Sequence, residues 1–300
     1  MSRDIVVIGS LNADLVAGVP SFPSPGETVT GSSFNIFPGG KGANQACAAA
    51  RLGARVHMVG RIGDDSNGRF LRDQLALVGV DTSQLVADST APTGTALITV
   101  DDSGQNEIVV VPGANGQVSV EDVERCRGLI ERAGFILLQL EIPLAAAEAA
   151  ALAAQKAGAV VIFDPAPARA EAVSLLPLVD YVTPNETELT TLAGGEGGPE
   201  ELLALGARNV IAKLGAAGAQ LVSAAEEHAW DGFDVEPVDT TAAGDVWNGA
   251  FAAALAEGMD VASAGVFANA AAGLSVTRPG AQPSMPTRAE VMAFLSRREE

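Results

Sequence analysis

The chain has few aromatic residues and few positive charges. The first shortage limits the composition of the core, and the second limits the classes of binding partner. Aromatic residues make up 4% of the 300 positions and hydrophobic residues 48%, so the core must consist mainly of Ala, Val, Leu and Ile. Lys and Arg number 18 against 37 Asp and Glu, which gives a formal net charge of −19. Nucleic acids, anionic membranes and heparin bind basic surfaces, so this charge argues against all three as partners. A local anion site remains compatible with it.

Cysteine, histidine and long apolar runs are equally scarce. Cys47 and Cys126 are too few for a disulfide framework. His57 and His228 are the only histidines, and no Cys/His cluster has metal-ligand spacing, so we expect no zinc site. The apolar stretch Ile5–Ile8 is too short for a signal or membrane segment, and we expect a cytoplasmic protein.

Hydrophobic patterning predicts an α/β fold. Apolar runs suited to buried parallel strands occupy residues 4–9, 56–60, 135–140, 160–164, 181–183 and 210–214. Helical patterns at 43–52, 67–78, 120–132, 144–157, 245–256 and 260–276 alternate with them. We therefore expect a doubly wound, mostly parallel sheet flanked by helices, in a single domain over residues 1–300. Insertions at about 12–38 and 92–112 carry turns and strand-like alternation, which we interpret as a small β-sheet lid.

The segment Asp239-Thr-Thr-Ala-Ala-Gly-Asp245 leads directly into a helical pattern. A helix N-terminus attracts anions through unpaired N–H groups and its positive dipole end. Ala242, Ala243 and Gly244 leave that backbone accessible, and Asp245 supplies an oxygen that can take a proton. An anion cradle beside a base suits phosphoryl transfer to an alcohol. The alternative is an Asp that merely favours a helix start.

A second glycine-rich segment, Phe37-Pro-Gly-Gly-Lys-Gly-Ala-Asn-Gln-Ala-Cys47, opens another helix. Its three glycines permit close backbone approach, and Lys41 and Asn44 add a cation and an amide. It is not a Walker A loop, because Lys41 is followed by Gly42, and it lacks the dinucleotide fingerprint. The segment indicates a close-contact turn for a polar small molecule, with a plain turn entering a helix as the alternative.

Together the two segments resemble the two signatures of the carbohydrate kinase family typified by ribokinase and fructokinase. Further matching segments occur in order along nearly the whole chain, which makes the resemblance more specific than either signature alone. They are Gly9-Ser-Leu-Asn-Ala-Asp14, Ser21-Phe-Pro-Ser-Pro-Gly-Glu-Thr-Val-Thr-Gly31, Gly63-Asp-Asp-Ser66, Gln139-Leu-Glu141, Asp164-Pro-Ala-Pro-Ala168, Thr183-Pro-Asn-Glu-Thr-Glu188 and Thr277-Arg-Pro-Gly-Ala-Gln-Pro-Ser284. The resemblance implies a ribokinase-like fold whose lid closes over a sugar.

The resemblance also implies two neighbouring substrate sites. In the sugar site, Asn12 and Asp14 would pair with the hydroxyls of a diol. The same pocket would be lined by Gly40, Lys41, Asn44 and Asp245, and Glu141 would close its far side. The ATP-binding residues would be Asn185, Lys213, Leu214, Gly215, Ala216, Ala217, Gly218, Gly244 and Asn269. For Asp14 the alternative is a turn residue.

Three matches carry a departure or a second interpretation. The family often has Thr where Lys213 stands, so this lysine either reaches a phosphate or extends to solvent. Glu188 would assist Mg²⁺ indirectly, but Asn185 and Glu188 also fit a helix capping box. Ala242 replaces a common Gly, and its Cβ should be tolerated if φ is negative.

The resemblance implies Mg²⁺ with ATP, K⁺ as an activator and a homodimer formed through the lids. The K⁺ ligands would come from Asp239, Thr241, Ser275, Arg278, Gly280 and Ser284. An unbalanced Asp239 charge close to the base would disfavour phosphate, and a weakly hydrated cation would balance it. The alternative is that Asp239 only caps its own turn. The exposed edges and apolar face of a small lid sheet favour pairing with a second copy.

We therefore expect ATP-dependent phosphorylation of D-ribose at its 5-hydroxyl to give ribose 5-phosphate and ADP. Asp245 would be the base, and the N–H groups of Ala242, Ala243 and Gly244 would stabilise the developing charge. A related kinase for deoxyribose, fructose or a nucleoside is the alternative. Asp245 argues against a non-catalytic sugar-binding protein, and the spacing of residues 9–14 argues against an NAD(P)-dependent oxidoreductase.

Overall fold

A computed structural model of the protein describes residues 3–297, which form two separate β-sheets and the helices around the larger one. The strands in chain order are β1 (Ile5–Ile8), β2 (Asn12–Val19), β3 (Ser33–Gly39), β4 (Val56–Gly63), β5 (Asp81–Asp88), β6 (Gly94–Asp101), β7 (Asn106–Val111), β8 (Phe135–Leu138), β9 (Val160–Phe163), β10 (Tyr181–Val182), β11 (Asn209–Lys213), β12 (Gly218–Ser223) and β13 (Glu227–Asp231).

Ten α-helices lie within the described residues. They are α1 (Lys41–Arg51), α2 (Ser66–Leu77), α3 (Val120–Arg125), α4 (Arg127–Ile130), α5 (Leu144–Ala157), α6 (Glu186–Ala193), α7 (Pro199–Ala204), α8 (Ala243–Glu257), α9 (Val261–Ser275) and α10 (Arg288–Ser296). Short 3₁₀ helices occupy Gly113–Gln117, Ala170–Leu178, Gly215–Ala217 and Gln282–Ser284. No helix in this part of the chain is long and apolar enough to cross a membrane.

The large sheet confirms the predicted doubly wound architecture. Its nine strands run in the order β13-β12-β11-β10-β9-β8-β1-β4-β5, and all neighbours from β11 to β5 pair in parallel. Only β12 and β13 are antiparallel additions at one edge. The side chains of β1 alternate between the two faces of the sheet. Ile5 and Val7 join the core that includes α1, α8 and α9, whereas Val6 and Ile8 join the core that includes α5.

The sequence missed or misjudged several elements. Strands β5, β12 and β13 were not predicted, because their mixed burial gives no continuous apolar run. Helices α6, α7 and α10 were also missed. The single helix predicted over 120–132 is wrong: it is two short helices, with Cys126 between them outside helical geometry. Helix α1 begins at Lys41, two residues before the predicted start.

The second sheet lies where the two insertions were predicted. Its order is β3-β2-β6-β7, with β2 and β6 parallel and the outer pairs antiparallel. Asn12 and Asp14 lie on β2, so the first predicted sugar residues belong to this sheet. One group of large apolar side chains remains exposed on it: Phe34, Ile36, Leu97, Ile108, Val109, Val110 and Val111.

Candidate active site

The predicted functional residues meet at one edge of the large sheet. They follow the carboxyl ends of β1, β8, β10 and β11, and they also occupy the first turns of α1 and α8. In open α/β sheets, ligands bind outside the carboxyl ends of the strands. This topology brings together residues that are more than two hundred positions apart in the sequence, such as Asn44 and Asp245.

Asp245 lies buried in the first turn of α8, and both of its oxygens accept hydrogen bonds. Asn44 donates from Nδ2 at 3.1 Å, and Gln45 donates from Nε2 at 3.0 Å. Burial raises the pKa of Asp245 to about 6, nearby Asp164 raises it too, and Lys41 together with the two amides opposes the rise. A buried carboxyl group with a pKa near neutrality is well suited to general base catalysis.

Helices α1 and α8 pack closely enough for these bonds because Gly249 lies at their contact. A Cβ at Gly249 would lie 2.7 Å from the Gln45 carbonyl oxygen, so a larger residue would force the helices apart. Gly42 does the same between α1 and the end of β1, where an added Cβ would lie 2.6 Å from the Ser10 nitrogen. The glycines therefore set the position of the amides relative to Asp245.

A polar cluster lies on the sugar side of Asp245. Glu141 Oε2 accepts hydrogen bonds from Ser10 Oγ at 2.5 Å, from the Lys41 backbone N–H at 3.1 Å and from Asn12 Nδ2 at 3.4 Å. Burial raises the pKa of Asp14 to about 7, and the charges of Glu141 and Asp245 add to the rise. The carboxyl groups of Asp14, Glu141 and Asp245 therefore lie close enough to interact.

Lys41 balances this negative charge. Burial lowers the pKa of its ammonium, but Asp245, Asp164, Glu141 and Glu188 raise it more, so the net direction is upward. The preceding Gly40 has φ of 87°, a left-handed conformation that leads the chain into α1. Lys41 is thus a permanent cation among four carboxyl groups.

The cradle at the start of α8 has an unusual backbone. Ala242 adopts φ 62° and ψ 13° and is the only non-glycine residue between positions 3 and 297 with a positive φ. A negative φ was the condition under which we expected its Cβ to be tolerated, and the structure does not meet that condition. The Ala243 N–H already donates to Thr240 O at 3.2 Å, whereas Gly244 lies in the first helical turn, where no helical carbonyl precedes it.

Lys213 reaches the cradle and does not extend to solvent. Its Nζ lies 2.9 Å from Asp164 Oδ1, and its side chain is only 12% exposed. A Cβ added at Gly244 would lie 3.3 Å from the same Nζ, which places the ammonium beside the first turn of α8. Lys213 therefore lies where it can meet a phosphate group bound there.

A cavity of about 310 Å³ extends away from the cradle between the strand–turn after β11 and helices α8 and α9. Six of the predicted ATP-binding residues line it: Lys213, Gly215, Ala216, Gly218, Gly244 and Asn269. Asn185, Leu214 and Ala217 lie outside its lining. The Asn269 amide is already engaged by protein groups, because it donates to Trp230 O and Asp231 O and accepts from Trp247 Nε1.

Comparison with known proteins identifies the family. The description "pfkB family carbohydrate kinase" matches residues 2–288. The chain belongs to this family.

Its relatives match over nearly their whole length. The chain is 43% identical to a ribokinase of Haemophilus influenzae, covering 98% of this chain and 99% of the relative. It is also 43% identical to a ribokinase of Bacillus subtilis, covering 98% and 100%. Among solved structures, ribokinase from Thermotoga maritima has a TM-score of 0.92 at 42% identity, covering 98% and 99%. Arabidopsis thaliana ribokinase complexed with ribose and ATP has a TM-score of 0.88 at 35% identity, also covering 98% and 99%.

Two of the predicted cation-site residues, Thr241 and Gly280, contact Asp239 in this carbohydrate kinase. Asp239 Oδ1 accepts from the Thr241 N–H at 2.9 Å, and Oδ2 accepts from the Gly280 N–H at 2.8 Å. The first bond is the turn cap that the sequence left open as an alternative. Burial raises the pKa of Asp239, but the bonds from Thr241 and Gly280 lower it more, so the carboxylate stays charged with lone pairs to spare. It therefore fits a cation.

The other predicted cation-site side chains have partners of their own. The Ser275 hydroxyl donates to Ala272 O, and the Ser284 hydroxyl donates to Ala281 O, each at 2.8 Å. The Arg278 guanidinium pairs with Glu290 at 2.7 Å. The side-chain polar groups of these three residues are therefore engaged within the protein.

The capping box at the start of α6 is present. Asn185 Oδ1 accepts from the Glu188 N–H, and Glu188 Oε2 accepts from the Asn185 N–H, each at 2.8 Å. Burial raises the pKa of Glu188, and Asp164 adds to the rise against Lys213. Glu188 thus caps the helix, and its pKa also depends on the charges of Asp164 and Lys213 beside the cradle.

Sequence reasoning missed four residues of the site: Ser10, Gln45, Asn115 and Asp164. Asn115 is fully buried, binds both backbone groups of Leu11 and donates to Asn12 Oδ1 at 2.7 Å. Gln45 and Asp164 meet at 3.0 Å. Ser10, Gln45 and Asp164 lie inside segments that carried the family resemblance, which was the available signal. Asn115 had no such signal.

Proposed function

We propose that the protein is an ATP-dependent ribose kinase that converts D-ribose and MgATP into ribose 5-phosphate and MgADP. The observation that carries the proposal is the position of the buried Asp245 carboxylate, between the polar sugar-side cluster and the anion cradle of α8. The full-length match to ribokinases and the fold shared with a ribokinase complexed with ribose and ATP support the choice of substrates.

In the proposed reaction, Asp245 takes the proton of the 5-hydroxyl while that oxygen attacks the γ-phosphorus. The new O–P bond forms as the bond from the γ-phosphorus to the β,γ-bridging oxygen breaks, and ADP leaves with the electron pair. The N–H of Gly244, the dipole of α8, and the ammonium groups of Lys41 and Lys213 stabilise the transferred group. Ala242 contributes to this stabilisation indirectly, through the conformation of the loop before α8. Ala243 contributes through the hydrogen bond from its N–H to Thr240 O, which fixes that loop.

Ribose would bind between β2 and the start of α1. Asp14 and Glu141 supply acceptors, and Asn12 supplies an amide whose orientation Asn115 fixes. Gly40 allows the start of α1 to approach the beginning of β2 closely, because a Cβ added there would lie 2.6 Å from the Asn12 nitrogen. A site with this many polar groups leaves some unpaired when a hydroxyl is missing, which favours ribose over a deoxy sugar.

The nucleotide would place its phosphates on the cradle and its base in the 310 Å³ cavity beside Asn269. Mg²⁺ would arrive with ATP, held largely by phosphate oxygens and water, with Glu188 acting indirectly. When bound, it neutralises phosphate charge. A monovalent cation such as K⁺ would bind Asp239 and neighbouring carbonyls, fixing the loop that leads into α8.

Three further proposals concern the whole molecule. Residues 1–300 form one domain, with the four-stranded sheet as its lid. Two lids pair in a homodimer, which would cover the exposed apolar side chains of that sheet, such as Phe34 and Ile108. The protein works in the cytoplasm, where ATP is abundant.

An ADP-release assay over a sugar panel tests the proposal. Purified protein is assayed with ribose, 2-deoxyribose, fructose and adenosine, and we expect the highest kcat/KM for ribose. A deoxyribokinase of Salmonella typhi is 35% identical over 99% of this chain, so 2-deoxyribose is the sharpest competitor. An Asp245→Asn preparation made in parallel controls for contaminating kinases. A higher kcat/KM for another acceptor would overturn the ribose assignment, and no turnover with any acceptor would overturn the kinase proposal.

A further inference from the structure

The two amides that contact Asp245 have orientations dictated by chemistry. An ionised carboxylate only accepts hydrogen bonds, so a neighbouring amide must present its nitrogen. Asn44 and Gln45 both do so, one to each oxygen of Asp245. Gln45 uses its second proton on Asp164 Oδ2, at 3.0 Å. If either amide turned over, its oxygen would face the negative charge and the base would lose a donor.

A second glutamine fixes each of these amides from behind. Gln139 donates from Nε2 to Gln45 Oε1 at 2.6 Å. Gln282 donates from Nε2 to Asn44 Oδ1 at 3.2 Å. Because the inner nitrogens face carboxylates, the inner oxygens need a donor behind them, and the outer glutamines supply it. The result is one chain of bonds from Gln139 through Asp245 to Gln282.

The side chains of this hydrogen-bond chain are shielded from water. Gln45 and Gln139 are fully buried, and Asn44 and Gln282 are each 6% exposed. A lost bond in such a place is not readily replaced by solvent, so the orientation of each inner amide depends on its protein partner. The outer glutamines come from distant segments, one after β8 and one in the 3₁₀ turn Gln282–Ser284.

We propose that Gln139 and Gln282 are positioning residues for phosphoryl transfer, each locking an inner amide with its nitrogen towards Asp245. The lock keeps one lone pair of each carboxylate oxygen occupied, which limits the directions from which Asp245 takes the hydroxyl proton. The proposal rests on the proposed role of Asp245 as the base. Both residues lie in segments that carried the family resemblance, and neither has a part in the reaction described above.

The charges around Asp245 decide the direction of the effect. Asp164 and Asp14 disfavour its ionised form, and Lys41 favours it. The two amides act with Lys41, so loosening either one makes the carboxylate easier to protonate. The acid limb of the kcat–pH profile should therefore move to higher pH when a lock is removed.

The first experiment replaces each outer glutamine with a side chain of similar length that cannot donate. We expect Gln139→Met and Gln282→Met to lower kcat about five-fold to ten-fold, the size of one lost hydrogen bond, and to raise the acid limb by up to about one pH unit. KM for ATP should stay unchanged. Gln155→Met, on the surface of α5, is the matched control and should behave as wild type. Met variants with wild-type kcat and pH profile, even if less stable, would overturn the proposal.

A double-mutant cycle separates the lock from a general loss of packing. In an Asn44→Ala background, Gln282→Met should cause no further loss of kcat, because the amide it locks is gone. Gln139→Met should keep its full effect there, because it acts through Gln45. A Gln282→Met loss that persists in the Asn44→Ala background would overturn the proposed route.

A measurement on the wild-type protein tests the proposal even if the variants do not fold. It also tests the proposal if the protein has no sugar kinase activity. The side-chain NH₂ signals of Asn44 and Gln45 are followed by ¹⁵N NMR as pH changes. We expect both to shift with one shared midpoint, that of Asp245, and to exchange slowly with water. The proposal would be overturned if the Asn44 and Gln45 signals did not shift with pH. It would also be overturned if their protons exchanged with water as fast as those of the NH₂ group of the surface residue Gln155. Because this measurement needs no turnover, it remains decisive if the sugar panel refutes the kinase proposal.

Discussion

Replacing Asp245 by Asn should remove catalysis while keeping the site assembled. The carboxamide has nearly the same shape but cannot take the hydroxyl proton, and loss of a general base costs about 10²–10⁴-fold in rate. Ribose and MgATP should still bind, because Asp14, Glu141 and the cavity beside α8 are unchanged. The variant therefore tests the base and not the fold.

The same change should not cost stability at alkaline pH. The pKa of Asp245 is raised from 3.8 to about 6, chiefly by burial, so the folded state holds this proton more tightly than the unfolded chain does. The stability conferred by the protonated form is fully present below pH 3.8 and is lost as pH rises through about 6. The loss amounts to about 3 kcal/mol at pH 8, and the neutral Asn escapes it.

A hydrogen-bond penalty opposes this gain. The new NH₂ group must face either Asn44 or Gln45, both of which present donors, so one donor loses its partner at a cost of about 1–3 kcal/mol. The free energy of unfolding at pH 8 should thus be equal to or above that of wild type. At pH 5 only about half of that 3 kcal/mol has been lost, so the stability of the variant relative to wild type should be lower there than at pH 8.

Three measurements check this prediction: ADP release at saturating ribose, calorimetric titration of ribose, and thermal melts at pH 5 and pH 8. The Tm difference, variant minus wild type, should be more positive at pH 8. Near-wild-type kcat would remove Asp245 from the mechanism. The same Tm difference at both pH values would refute the electrostatic part of the reasoning.

Other perturbations address the loop before α8, the cation site and the lid. Ala242→Gly relieves a left-handed φ of 62°, and we expect full activity and a stability within about 1 kcal/mol of wild type by urea denaturation, whereas Ala242→Val should lose both. Wild-type activity should rise when K⁺ replaces Na⁺ at constant ionic strength, and Asp239→Ala should weaken that response; equal rates in both salts would leave Asp239 as a turn cap. Phe34→Arg on the lid should convert a dimer into a species near the 30.4 kDa chain mass by sedimentation, and Leu77→Arg on exposed α2 should not; a wild-type monomer would refute the dimer.

The parts of the fold predicted correctly are those with local signals. Continuous apolar runs identified the central strands β1, β8, β9 and β11, because a parallel strand covered on both faces excludes polar residues. Edge strands such as β5 and β13 are covered less completely, so their sequences alternate irregularly and gave no signal. The interruption between α3 and α4 at Cys126 also had no signal in the sequence, since the residues around it favour a helix locally.

The sequence alone determined those groups of the site that have a local signal. Glycines at positions where the backbone approaches closely, an Asp in the first turn of a helix, and a Lys beside an Asn are all readable from neighbours in the chain, since they depend on local backbone geometry. The order of matching segments added the family.

Only the tertiary structure decided how those groups are paired. It joined Gln45 to Asp245 and Asp164, Lys213 to Asp164, and Gln282 to Asn44. It also placed Ala242 in a left-handed conformation that an alanine does not signal. The reason is that a buried polar group must find a partner among whatever the topology brings within about 3 Å, and that partner can lie anywhere in the sequence.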